Sequence, residues 1–221
     1  MTFLVACGLK REARLITRPG HDVFAVAGGG DDARLERELE KLASLFPGTI
    51  VSSGLAGALA PSLKPGAVVL DGDAAFVEKL SQALPNAVVG RVLGRKTMAA
   101  TVAEKQLLHR MTGATAIDME SHVAMRVARK LGLTFGVLRV ISDGAGDELP
   151  PAARVGMKPD GGMALGAVLA SLARAPGQLP ALIRTGRDAG RAFKVLDGLY
   201  DTLGRVGILG LDLRQFTLDV R

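Results

Sequence analysis

Tryptophan is absent from the 221 residues, tyrosine occurs once, and aromatic residues make up only 4% of the chain. A core built from this sequence must be aliphatic, and the stacking platforms that single-stranded nucleic acid needs are missing. No helix-turn-helix or zinc-finger pattern appears either, so nucleic acid is not an expected partner despite a net charge of +6. The single cysteine, Cys7, excludes an internal disulfide. Its place in the apolar run Phe3-Leu4-Val5-Ala6-Cys7 favours a buried structural thiol. No stretch reaches the ~18 uncharged apolar residues of a membrane span. Lys10, Arg11 and Glu12 follow the first apolar run too early for a signal peptide, so a cytoplasmic protein is expected. His21, His109 and His122 are scattered without metal-ligand spacing, and no metal is expected. A P-loop, the Rossmann glycine spacing and a serine nucleophile elbow are all missing, so no cofactor is expected and serine acyl chemistry is unsupported.

What is present is an ordinary globular balance of 48% hydrophobic and 23% charged residues, in a length that suits one α/β domain with a short appendage. Strand-like and helix-like segments alternate. Strands are expected at Phe3–Cys7, Asp22–Ala27, Thr49–Ser52, Ala67–Leu70, Ala87–Leu93, Ala114–Ile117 and Phe135–Ile141. The last is apolar except for Arg139 and reads as a central strand buried on both faces. Helices are expected at Lys10–Ile16, at Asp31–Phe46 with Leu35, Leu39, Leu42 and Leu45 at helical spacing, at Ala103–Met111, and at Met119–Leu131 with Gly132 as its stop. A further small-residue helix is expected at Met163–Leu172. This alternation implies a layered α/β domain with a parallel or mixed sheet.

Ligands in open α/β sheets bind beyond the carboxyl ends of strands. Four segments fit: Gly8 to Glu12, Gly28-Gly29-Gly30, Ser52 to Gly57, and Ser142-Asp143-Gly144. The glycine triplet serves equally as a turn or a phosphate cradle. Two carboxylates carry more information. Asp143 ends the most apolar strand, where burial suits a carboxyl to general-acid work. Glu120 is expected in the first turn of a helix, able to accept bonds from two neighbouring hydroxyls. On local grounds alone each is equally a cap or loop carboxylate.

The runs Ala116-Ile117-Asp118-Met119-Glu120-Ser121 and Leu138-Arg139-Val140-Ile141-Ser142-Asp143, with Ser53-Gly54-Leu55-Ala56-Gly57 and Glu12 upstream, resemble the nucleoside phosphorylase/nucleosidase superfamily over about residues 1–150. The methylthioadenosine/S-adenosylhomocysteine nucleosidases are a similar branch. The resemblance implies a three-layer α/β/α fold with a central mixed sheet, and an enzyme that cleaves the N-glycosidic bond of an adenine nucleoside. It implies that Asp143 protonates the leaving purine and that Glu12 activates water. Glu120 and Met119 would hold the ribose, and Thr97, Met98 and Ser142 would line the base. Gly54, Leu55 and Ala56 would form a glycine loop near the nucleophile. Leu55 stands where the phosphorylases place a phosphate-binding serine, which argues for hydrolysis; basic residues such as Arg14 leave phosphorolysis as an alternative. Relatives are commonly oligomers, so a homo-oligomer is expected.

A narrower resemblance, carried by Cys7-Gly8-Leu9, Asp118 to His122 and Ala170 to Pro180, is to the hopanoid-associated phosphorylases. It implies adenosylhopane, a lipid-linked nucleoside, as substrate. The alternatives are methylthioadenosine or S-adenosylhomocysteine hydrolysis, phosphate-dependent purine nucleoside cleavage, and a non-catalytic nucleoside-binding protein. Residues 1–175 are expected to form the catalytic domain and 176–221 a basic amphipathic helical extension. In that extension Arg184, Arg187, Arg191 and Lys194 form one stripe, while Leu182, Ile183, Ala189, Phe193, Leu196 and Leu203 form another. Such a helix either docks on protein or contacts the inner membrane peripherally.

Overall fold

A computed structural model describes residues 1–156, 158 and 160–210. The elements follow as β1 (Phe3–Cys7), α1 (Lys10–Ile16), β2 (Val23–Ala27), α2 (Asp32–Leu45), β3 (Thr49–Ala58), β4 (Val68–Gly72), α3 (Ala74–Ala83), β5 (Val88–Val89) and β6 (Val92–Gly94). Then come α4 (Val102–Thr112), β7 (Ala116–Asp118), α5 (Ser121–Leu131), β8 (Phe135–Asp143), α6 (Pro151–Arg154), α7 (Leu165–Arg174) and α8 (Leu179–Arg205). One mixed sheet runs β2-β1-β3-β8-β4-β5, with β7 added to the end of β3 and β6 to β7. Strands β2, β1, β3 and β8 are mutually parallel, and β4 is antiparallel to β8.

Alternation along β1 sorts the layers. Phe3, Val5 and Cys7 face a core shared with Ile16 of α1, Phe76 and Leu80 of α3, and Ala192, Leu196, Tyr200 and Leu203 of α8. Leu4 and Ala6 face the opposite core, with Leu35 and Leu39 of α2 and Val123, Ala124, Val127 and Ala128 of α5. The result is the expected three-layer α/β/α fold. Helix ends are capped by local chemistry: the Asp31 carboxylate accepts the amide of Arg34 (3.0 Å), and Gly132 ends α5 at φ 65°.

The structure changes several expectations. The segment Gly54-Leu55-Ala56 is the continuation of β3 rather than a loop, because it pairs with β8 through Ala56↔Ile141. Helix α3 was not foreseen. The extension expected from residue 176 is not an appendage in its described part, since the inner face of α8 from Ala192 to Leu203 is buried in the same core as β1, β3 and β8. Ile183, assigned to that helix's apolar stripe, is 55% exposed. The last eleven residues of that extension, 211–221, lie outside the described residues.

Candidate active site

Because β1, β3 and β8 are parallel, their carboxyl ends meet on one edge of the sheet. The register pairs Gly57 with Asp143 after a bulge at Ala56, and pairs Gly57 with Ile117 on the other side. Glu12 (start of α1), Leu55, Ala56, Met98, Met119, Glu120, Ser142 and Asp143 thus line one cavity of about 500 Å³. Among the expected site residues, Gly54 and Thr97 do not line it; the exposed Thr97 hydroxyl lies 2.7 Å from Arg95 Nη2. Arg14 does not reach it either, being exposed with Nε directed to the carbonyl of Lys10.

Glu12 is buried, and three backbone amides hold it. Gly8 and Leu9 donate to Oε2 at 2.8 and 2.7 Å, and Leu55 donates to Oε1 at 2.8 Å. The carboxyl nevertheless sits above its usual range, because burial outweighs Arg139 and these amides. Gly54 makes this grip possible. Its φ is 140°, and a β-carbon there would fall 2.7 Å from Glu12 Cδ. Gly54→Ala is therefore expected to displace Glu12 and lower turnover by roughly a hundredfold. It should also cost about 1–3 kcal/mol of stability, measurable by steady-state kinetics beside a denaturant titration.

Glu120 is placed by a cap. Asp118 Oδ1 accepts from the amides of Ser121 (2.9 Å) and Glu120 (3.2 Å), and the Ser121 hydroxyl bonds Oδ2, so α5 starts at Ser121. Glu120 is consequently the residue before the helix (φ −121°, ψ −25°), not part of its first turn as expected. Its Oε2 accepts from Arg139 Nη2 at 2.9 Å, and Oε1 has no protein hydrogen-bond partner among the described residues. Arg139, the lone cation in β8, is fully buried. Its Nε lies 2.7 Å from Asp118, and Nη2 also donates to Ser52 Oγ at 2.6 Å. Three carboxylates therefore share one guanidinium. Burial pushes Glu120 up most; Arg139 opposes, while Asp118 and Glu12 add to the rise, leaving it at about 7. Burial works against the Arg139 charge, but the carboxylates outweigh it and hold the guanidinium above its ordinary value.

Asp143 has a partner that the sequence reading missed. Lys105 of α4 is fully buried and donates to Asp143 Oδ2 (2.5 Å), to the carbonyl of Gly144 (2.8 Å) and to that of Asp147 (2.9 Å). Ser142 Oγ lies 2.8 Å from Asp143 Oδ1 and 3.2 Å from the carbonyl of Ala56. Its hydroxyl can turn to Ala56, leaving Oδ1 to a ligand. Cys7 lies beneath the site. Burial pushes its thiol well above the usual value, with the charges of Glu12 and Glu120 acting in the same direction, so it is not a reactive group.

Beyond the carboxylates the cavity becomes apolar. Leu149 and Ala152, Met163 and Val168, and Leu182 and Ala189 of α8 line its outer half, and no lysine or arginine lines it among the described residues.

The mixed α/β/α sandwich, with carboxylates at the strand ends, has the nucleoside phosphorylase-like fold. The sequence model of the phosphorylase superfamily matches residues 70–174. The match covers a little under half of the chain, and over that stretch the chain is similar to the phosphorylase superfamily. A search of curated proteins by sequence finds no match. Among solved structures, the chain is similar to the S. pneumoniae 5'-methylthioadenosine/S-adenosylhomocysteine nucleosidase with a transition-state inhibitor (16% identity, 92% of this chain and 100% of that one, TM-score 0.60). A Helicobacter pylori mutant nucleosidase with 5'-methylthioadenosine in its active site is also similar (15%, 90% and 98%, 0.56). So is a futalosine hydrolase mutant of the same species (16%, 64% and 90%, 0.52). At these identities the likeness concerns the fold.

Proposed function

We propose that this protein hydrolyses the N-glycosidic bond of an adenine nucleoside bearing an apolar 5′ substituent, adenosylhopane being the substrate that fits the reading best. Asp143 relays a proton from solvent to the imidazole nitrogen of the purine, so that adenine leaves neutral. The free oxygen of Glu120 accepts from the ribose hydroxyls while positive charge grows on the sugar, and Met119 packs beneath it. Glu12, fixed by three amides, takes a proton from the attacking water. Met98 and Ser142 flank the base. This division of labour parallels that of glycoside hydrolysis.

The observation that carries the hydrolytic reading is the lining of the cavity: Glu12, Asp118, Glu120 and Asp143, with no lysine or arginine among the described residues. A phosphate dianion placed among these carboxylates would have no lining cation to contact, because Arg139 and Lys105 are buried behind the carboxylates they pair with, whereas water meets a base. The apolar outer half supports an apolar 5′ group. The same lining favours methylthioadenosine over S-adenosylhomocysteine as a soluble alternative, since the charged amino-acid tail of the latter would lose hydration without compensation. Exposed Met163, Leu165 and Leu169 beside the cavity, 58%, 63% and 66% accessible, support peripheral contact with a lipid surface from which such a substrate could be drawn.

The test is adenine release from adenosylhopane, methylthioadenosine and S-adenosylhomocysteine, each with and without phosphate. Release without phosphate is expected, with S-adenosylhomocysteine the poorest of the three by roughly tenfold or more. A strict requirement for phosphate would overturn hydrolysis. Preference for S-adenosylhomocysteine would overturn the apolar 5′ group.

A further inference from the structure

A second cavity, of about 490 Å³, lies between α1 and α8, on the face of α8 next to the one that walls the first. Arg11, Arg187, Arg191 and Lys194 line it, all exposed. Among the described residues its one acid, Asp197, is already held by Arg18 at 2.5 Å. Arg11 is ordered by stacking over the Phe193 ring, 4.0 Å from its centroid. Four cations thus converge on one concavity without an uncommitted carboxylate. Towards the start of α8 the same helical face continues as Ile183 and Leu179, 55% and 47% exposed and spaced four residues apart ahead of Arg187. An apolar stripe that runs into a basic concavity suits a bilayer interface, where acyl chains and phosphates lie at adjacent depths.

We propose that the α1/α8 concavity binds the phosphate headgroup of an anionic lipid and fixes how the protein sits on the membrane. The inference rests on the lipid-surface reading above, but not on the identity of the nucleoside. None of the four cations lines the first cavity, so their removal leaves hydrolysis of a soluble nucleoside intact.

The experiment is co-sedimentation of the full chain with vesicles of phosphatidylcholine alone or with phosphatidylglycerol, at low and at physiological salt. Binding is expected only with phosphatidylglycerol and should weaken as salt rises. Arg187→Ser with Lys194→Ser should weaken it roughly thirtyfold, with adenine release from methylthioadenosine unchanged. A charge-matched pair on the far layer, Arg37→Ser with Lys41→Ser, should change it little. Equal loss in both pairs would reduce the effect to net charge and overturn the site. The rim pair Leu165→Ser with Leu169→Ser separates the two readings. If it alone abolishes binding, the lipid surface stands and the headgroup site falls. Should vesicles never bind while glycerol phosphate titrates the Arg187 and Lys194 concavity, the ligand is a soluble anion and the lipid proposal fails.

Discussion

Asp143→Asn is expected to lower kcat for adenine release by roughly a thousandfold while KM changes little. The amide keeps the shape and the acceptor oxygen of the carboxyl but has no proton to give to the base. The substitution also touches stability, because Lys105 is fully buried and its ammonium would then face only neutral acceptors: the amide oxygen and the carbonyls of Gly144 and Asp147. Breaking a buried ion pair from one side costs about 3–5 kcal/mol, and Lys105→Met, which strands the carboxylate, should cost a similar amount.

The double variant separates chemistry from folding. With Lys105→Met and Asp143→Asn combined, no charge is left unpaired, so most of the stability lost in either single variant should return. Turnover should not return, since the proton donor is still missing. Thermal unfolding and kcat on the three variants provide the check. Recovery of kcat together with stability would show that Asp143 is a structural partner of Lys105 and that another group protonates the purine.

How much of this site could be read from the chain follows from which interactions are local. Asp143 and Glu12 were legible because each sits at a strand end, where an apolar run meets a helix or loop. Glu120 was legible as a residue but not in its placement: Asp118, two residues before it, takes the capping bonds, and this shifts the start of α5 past Glu120. Lys105 was missed because its partners lie 38 to 42 residues away. A signal did exist, for Lys105 lies three residues before Leu108 on the inward face of α4, where a lysine needs a counter-charge. Arg139 offered a stronger one, as a single cation in a strand otherwise apolar over seven residues. Glycine composition masked the length of β3, whose far end is held as a strand by β8 and β7 and not by its own propensity. For residues 176–210 the sequence left docking on protein and membrane contact both open for a related reason. Amphipathicity shows that a helix has a face to bury but not against what, and α8 buries its inner face on the sheet.

Arg139→Met is expected to cost about 3–5 kcal/mol of stability near pH 8, because Asp118, Glu120 and Glu12 would share a buried site with no cation. The loss should shrink towards pH 5, where those carboxyls can take up protons. The wild-type protein has a milder form of the same dependence. Glu120 is raised from 4.5 to about 7, so across that interval the folded state holds a proton that the unfolded chain has released. Its contribution to stability is fully present below pH 4.5 and is lost as pH rises through about 7. Ribose binding should run the other way, since an ionised Glu120 is the better acceptor for hydroxyls: KM for the nucleoside should fall as pH rises through the same interval. Glu120→Gln fixes the neutral form and should flatten both curves. Urea titrations and KM values from pH 5 to 8 on the wild type, Arg139→Met and Glu120→Gln test this coupling. Parallel curves for all three proteins would remove Glu120 as the group that links stability to binding.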